Sequence, residues 1–440
     1  MALGARIRQL RQSRGLTQSQ LGGSNLSKSF ISLLEKDHTR PSVETLVLIA
    51  QRLSTSVDGL LGQEGHIPEL VATGVLTMSA QLIRNRDFAR ASTMIAFAEF
   101  LASAYHLEEA MREHQLQTAK LAFEHDAFDD AWTTLQTVRD ASDRAKDVWR
   151  TGRALLLMGW VKVRQREFPE AGKLFESALG ALRKARAGRD PARVEALIGL
   201  GLTLFRGDKY AVSIRRYEEA AHSEVAIHDP VLRGRAWWGM GMAQRKLGDA
   251  DAARESLLKA KDAFESAEEL TDMMRVLHNL GQLLFYEGRG KEALRYFHQA
   301  LRVMERLERQ SDRASILTEI ARVYLSLGNL ADAEHFISQA LELAQRIGEP
   351  VETAEAQVIL ARLHSLNKDD PAAITALKAA VNTFQARGMP LKMAEAAREL
   401  GLILRTHGAH AEAADYLALA ATVRIEHPSK LTPAGELSEV

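Results

Sequence analysis

Small residues stand at Gly201, Gly241, Gly281, Ala321, Ala361 and Gly401, each 40 positions after the one before. Gly159 lies 42 positions ahead of the first. Two further series keep the same phase, through Ala253, Ala293, Ala333, Ala373 and Ala413 and through Ala260, Ala300, Ala340, Ala380 and Ala420. Gly248, Gly288, Gly328 and Gly408 form a fourth, with Lys368 in the glycine position once. A period held this long implies stacked copies of one supersecondary unit, because such a unit cannot bury its apolar face alone. Around Gly281, Val276, Leu277, Leu280 and Leu284 make one helical stripe, Gly288 to Gly290 interrupts it, and Leu294, Phe297, Leu301 and Met304 make the next. Each unit therefore reads as two amphipathic helices. The small residue sits where the first crosses the second and lets the backbones approach. Weaker units extend back through 107–146 and 68–105, where Phe128-Asp129-Asp130-Ala131 and Phe88-Ala89 mark second-helix starts.

The remaining chemistry is narrowed mostly by exclusion. Of 440 residues 46% are hydrophobic, enough for more than one core. No cysteine is present, which removes disulfides, thiolate zinc sites and cysteine nucleophiles together. Gly199-Leu200-Gly201 and Gly239-Met240-Gly241 lie inside helical stripes and lack a third glycine, so they read as packing residues and not as a dinucleotide loop. The 14 histidines show no zincin spacing. No cofactor, no metal and no enzymatic activity is expected. No run approaches the roughly 18 apolar residues of a membrane span, and Leu3, Ile7 and Leu10 alternate with Arg6, Arg8 and Arg11, unlike a signal peptide. The expected location is cytoplasmic, without membrane contact.

The formal net charge is zero, yet residues 1–65 carry eight Lys/Arg against five Asp/Glu. That segment reads as five short helices. The first carries Leu3, Ile7 and Leu10 and stops at Gly15; Thr17-Gln18-Ser19-Gln20 is a capping box for the second. Gly22-Gly23-Ser24-Asn25 supplies a tight turn, Ser27 caps the third helix, and Pro41-Ser42 opens the fourth. Ile31 and Leu34 join Leu46, Ile49, Ala50, Leu53, Val57 and Leu60 in a small core.

Two resemblances follow from these residues. Arg6-Ile7-Arg8, Gly15-Leu16-Thr17-Gln18, Leu21, Ser27-Lys28-Ser29-Phe30-Ile31-Ser32, Leu34-Glu35 and Arg40-Pro41-Ser42 resemble the Cro/cI repressor (XRE-type) helix-turn-helix family. The turn between second and third helices is one residue shorter than is common there. Leu280-Gly281, Leu284, Ala293, Phe297 and Ala300, recurring in register, resemble the tetratricopeptide repeats, with a period of 40 where that family has 34. The expected fold is all-α: a helix-turn-helix head over 1–65, a right-handed superhelix of eight or nine hairpins over 66–427, and a loose tail over 428–440.

The first resemblance implies a third helix in the major groove of double-stranded operator DNA. Lys28, Ser29, Ser32 and Leu33 then face base edges, with Leu33 restricted to apolar contact. Thr17, Gln18, Ser27 and Arg40 fall near phosphates, and Phe30 near the sugar-phosphate backbone. Arg11 and Glu35 match the family's internal ion pair. Three net positive charges per head imply a homodimer on a pseudo-palindrome.

In the repeats, offsets from Gly281 place Arg275, His278, Asn279, Gln282 and Phe285 on the inner wall. The same offsets add Arg235, Trp238, Arg245, Arg322 and Arg362. A cationic wall with aromatic patches is expected, suited to an extended ligand with carboxylates. This order of domains resembles the peptide-pheromone receptors of quorum sensing, which implies a peptide effector. The alternatives are a DNA-bound adaptor whose repeats grip a protein partner, or a scaffold whose head no longer reads DNA.

Overall fold

The computed structural model describes residues 3–23, 25–39, 41–55, 57–61, 66–307 and 310–426, without the side chains of 43, 58, 61, 66, 67, 310, 311 and 423–426. The tail expected over 428–440 lies outside them. Among the described residues there are helices and turns and no strand. Two compact units divide the chain, Met1–Gly188 and Arg189–Val440.

The first unit opens with five short helices: α1 (Leu3–Ser13), α2 (Gln18–Gly22), α3 (Lys28–Glu35), α4 (Val43–Arg52) and α5 (Val57–Leu61). Ile7, Leu21, Ile31, Leu34, Ile49, Leu53 and Leu60 are fully buried together. Three hairpins follow, α6 (His66–Arg84) with α7 (Phe88–Ala104), α8 (Glu108–Glu124) with α9 (Phe128–Arg144), and α10 (Val148–Arg164) with α11 (Phe168–Lys184). The second helices expected at Phe88 and Phe128 begin at those residues.

The second unit holds six more hairpins. These are α12 (Pro191–Arg206) with α13 (Tyr210–Ala221), then, after the short α14 (Glu224–His228), α15 (Pro230–Lys246) with α16 (Ala250–Ser266) and α17 (Leu270–Tyr286) with α18 (Gly290–Met304). The last three are α19 (Gln310–Ser326) with α20 (Leu330–Ile347), α21 (Pro350–Leu366) with α22 (Asp370–Ala386), and α23 (Pro390–Thr406) with α24 (His410–Glu426). The segment 185–190 between α11 and α12 is longer than the three-residue turns elsewhere, which accounts for the slip from 40 to 42 after Gly159.

Most repeat helices are 17 residues long and end in a three-residue turn whose middle residue has a left-handed backbone. At Gly288 (φ +76) the amide donates to Phe285 O at 3.0 Å, and the next amide, from Arg289, to Leu284 O at 2.9 Å. This pair of bonds is the Schellman closure of a helix C-terminus. The same conformation recurs every 20 residues at Arg86, His106, Asp126, Lys146, Arg166 and Arg186. It returns at Gly248, Glu268, Gly288, Gly328, Gly348, Lys368, Gly388 and Gly408. Turns within and between hairpins are therefore alike, a regularity the glycine series showed only by half.

The small residue of each first helix faces a large one 16 positions later. A Cβ on Gly281 would lie 2.6 Å from the Phe297 ring, one on Gly201 2.8 Å from Tyr217, and one on Gly159 2.6 Å from Phe175. Where alanine replaces glycine the partner is aliphatic, Ile337 opposite Ala321 and Leu377 opposite Ala361. Gly241 and Gly401 face leucines, Leu257 and Leu417, at 3.0 and 2.7 Å, so an aromatic ring requires glycine while an aliphatic partner is found opposite either small residue.

Candidate nucleic-acid interface and repeat face

The head presents α3 through local chemistry that fixes its start and its back. Thr17 Oγ1 accepts from Gln20 N at 3.2 Å while Gln20 Oε1 accepts from Thr17 N at 2.8 Å, a complete capping box on α2. Ser27 Oγ accepts from Phe30 N at 3.1 Å and starts α3. With Ile31 and Leu34 in the core, Lys28 and Ser29 are exposed, Ser32 and Phe30 are half-buried, and Leu33 is 47% exposed. Ser27 and Thr17 are also at the surface, each with its oxygen engaged in its cap. Arg40 lies outside the described residues.

Two arginines hold this arrangement. Arg11 meets Glu35 through two hydrogen bonds of 2.6 and 3.0 Å, joining α1 to the end of α3, and Gln18 Nε2 donates to the same carboxylate at 2.9 Å. Burial alone would push the Glu35 carboxyl up, but the bonds from Arg11 and Gln18 outweigh it and hold it below the usual range. Gln18, expected near a phosphate, thus spends at least one amide hydrogen inside the head. The second arginine is Arg52, which sequence reasoning missed. Its guanidinium donates to the carbonyls of Leu21 and Gly22 and, at 2.7 Å, to Asn25 Oδ1. It clamps the shortened α2–α3 turn from α4. No local pattern marks such a contact, since its partners are backbone carbonyls 30 residues away.

In the second unit the first helices α15, α17, α19, α21 and α23 bring the expected wall residues onto adjoining helices, but the expectation of a cationic wall is corrected. Its cations are matched by carboxylates, commonly 37 residues apart, which is one repeat less nearly one helical turn. Arg235 meets Asp272 at 2.7 Å, with Arg275 at 3.4 Å from the same carboxylate. Arg322 lies 3.2 Å from Glu319, Arg362 grips Glu399 through Nε and Nη2, and Lys392 meets Glu355. Desolvation makes this arrangement necessary, because charges on a part-buried face are costly unless paired.

Trp238, Asn279 and Gln282 are engaged in a similar way. Trp238 Nε1 donates to Asn279 Oδ1 at 3.0 Å, and Gln282, 5% exposed, reaches Glu319 at 3.5 Å. His278 packs 5.8 Å from the Phe297 ring with Nε2 buried and lacking a hydrogen-bond partner, and burial lowers its pKa. Phe285 and Arg245 are half-buried. Burial and the neighbouring Glu355 push Glu352 up to about 7, against the pull of Lys392. Burial likewise raises Glu395 to about 7, with Arg362 opposing and Glu399 reinforcing. A pocket of about 40 Å³ lies among Arg322, Glu355, Arg362, Lys392 and Glu395. Part of this acidity was legible in principle, since Asp272, Asp312 and Glu352 follow the 40-residue period, as do Glu355 and Glu395, whereas Glu319 and Glu399, the partners of Arg322 and Arg362, have Ile359 between them in that period.

These two parts define the class: a helix-turn-helix DNA-binding domain of the Cro/cI type joined to tetratricopeptide repeats. The chain matches the helix-turn-helix family over residues 7–60 and the tetratricopeptide repeat over 156–222 and, in overlapping stretches, 232–386. Over 70 residues it is 40% identical to the immunity repressor protein of Bacillus phage phi105, a stretch that is 16% of this chain and 49% of that protein. The chain thus spans about half the length of that curated relative. Among solved structures it is similar to the apo form of RapI (TM-score 0.67, 14% identity, 82% of this chain and 99% of that one). It is also similar to the apo form of the quorum sensor NprR from B. thuringiensis (0.61, 13%, 80% and 98%). A Rap protein complexed with Competence and Sporulation Factor follows at 0.57, with 14% identity over 83% of this chain and 100% of that one. At these identities the likeness establishes the fold. Among the described residues no helix is long and apolar enough to cross a membrane.

Proposed function

We propose that the protein is a transcriptional regulator that binds operator DNA as a homodimer through α3, under the control of a peptide or other effector held on the repeats. The observation that carries this is the division of α3, with Ile31 and Leu34 in the core and Lys28, Ser29 and Leu33 facing outward. Lys28 donates to guanine, Ser29 and Ser32 pair with base edges, and Leu33 meets a thymine methyl. Thr17, Gln18, Ser27, Phe30 and Arg40 position the head on the backbone.

An effector on the second unit meets Arg235, Trp238, Arg275, His278, Asn279, Gln282, Phe285, Arg322 and Arg362, with Arg245 alongside. Because these charges are already paired, the ligand must offer both donors and acceptors in exchange, which a peptide backbone does. A solved relative in fold is a quorum sensor and another is complexed with Competence and Sporulation Factor, which supports an effector of this kind.

Selection of bound sequences from random duplexes tests the DNA reading. The full chain should enrich a two-fold symmetric site, and Lys28→Ala should relax one base pair per half-site at a cost of about 1–3 kcal/mol. Enrichment of no sequence overturns it. The small pocket on the repeat face favours a second reading, an adaptor that grips a protein partner. Mass spectrometry of material co-purified with the chain distinguishes a short peptide from a folded protein.

A further inference from the structure

A groove of about 510 Å³ lies in the first unit, between the first helices α6, α8 and α10. Its apolar wall is made by Leu70, Leu76 and Trp149, and its polar wall by Glu69, Glu109, Glu113, Gln117, Arg150 and Arg153. Gln117 is 2% exposed. Its Nε2 donates to Glu113 Oε1 at 2.8 Å, which fixes the amide orientation, since the reverse would set oxygen against carboxylate. The carbonyl Oε1 is buried without a hydrogen-bond donor. An acceptor left open in such a place is costly, and a ligand that donates to it removes the cost.

The guanidiniums do not supply that donor. Arg153 is paired with Glu113 at 3.0 Å, and Arg150 with Asp147, with Glu109 and Glu113 at 3.6 and 3.7 Å. Carboxylates outnumber guanidiniums on the wall by three to two. One wall donor, Arg150 Nε, is also buried without a hydrogen-bond partner, but it lies 3.7 Å from Glu113 and leaves Gln117 Oε1 open. The groove thus needs a donor for that oxygen and positive charge at its polar side and apolar surface at the other. We propose that it binds a small amphipathic primary amine, whose ammonium donates to Gln117 Oε1 and to a wall carboxylate while its apolar body lies against Leu70, Leu76 and Trp149. The groove is built wholly from residues of the first unit, and the proposal does not depend on what the head reads.

Calorimetry on the full-length protein tests it with phenethylamine, its neutral counterpart 2-phenylethanol and the carboxylate 3-phenylpropionate. Phenethylamine should bind about tenfold or more tightly than either and raise the unfolding temperature. Gln117→Met should weaken amine binding about tenfold without lowering the stability of the free protein. Glu69→Gln, at the exposed rim, should weaken it severalfold and decides the matter alone should Gln117→Met not fold. Absence of amine binding, equal or tighter binding of 3-phenylpropionate, or amine affinity unchanged in the folded variants overturns the proposal.

Discussion

The pairing of Gly281 with Phe297 shows how much a single hydrogen-to-methyl change means in this fold. An alanine Cβ would sit 2.6 Å from the ring, so Gly281→Ala should lower stability by about 1–3 kcal/mol. Adding Phe297→Leu should recover most of it, because Ala361 with Leu377 is a working version of that pair. A double-mutant cycle in denaturant measures the coupling. Lys368 gives the opposite case. It holds φ +63 where equivalent turns carry glycine, so Lys368→Gly should stabilise by up to about 1 kcal/mol, read from the denaturation midpoint. Both residues of the Gly281 pair stand in the sequence pattern, and so does the lysine as an exception. The distance of 16 between partners does not, because it depends on how two helices cross.

At the scale of the helix, the paired face of the second unit carries its own pH dependence. Glu352 and Glu395 titrate near 7 in the folded chain, well above an ordinary carboxyl, so the folded state binds more protons than the unfolded one between those values. Their contribution is complete below the ordinary carboxyl pKa and is lost as pH rises towards about 7. Glu352→Gln and Glu395→Gln, which imitate the protonated forms, should therefore raise the unfolding temperature at pH 8. The gain should shrink towards zero near pH 4.5. The comparison with the parent at each pH separates this from His278, whose lowered pKa acts in the opposite sense. Helix positions on this face were readable from the offsets around Gly281. Their electrostatics were missed because the arginines were read alone, while the acids that neutralise them stand one turn away on the same helix, as Glu319 does for Arg322, or on the next repeat, as Asp272 does for Arg235.

Across the whole molecule, the element types and the head's core followed from periodicity and caps: Thr17, Ser27 and Ser42 each start the helix their side chains imply. Less was visible where the regularity fails, as at the longer segment 185–190, where the chain divides into its two units. The recurrence of one turn every 20 residues has a further consequence for how such a chain can change length. Excising residues 330–369 removes α20 and α21, joins Asn329 to Asp370, and leaves α19 to pack on α22 with Ala321 opposite Leu377. That shortened protein should melt cooperatively by circular dichroism. Excising 330–349 alone would bring α21 after α19, two first helices in succession with Ala321 and Ala361 and no large partner between them, and should abolish the cooperative transition. Length in this architecture is thus quantised in whole hairpins, and viable insertions or losses come in steps of two helices.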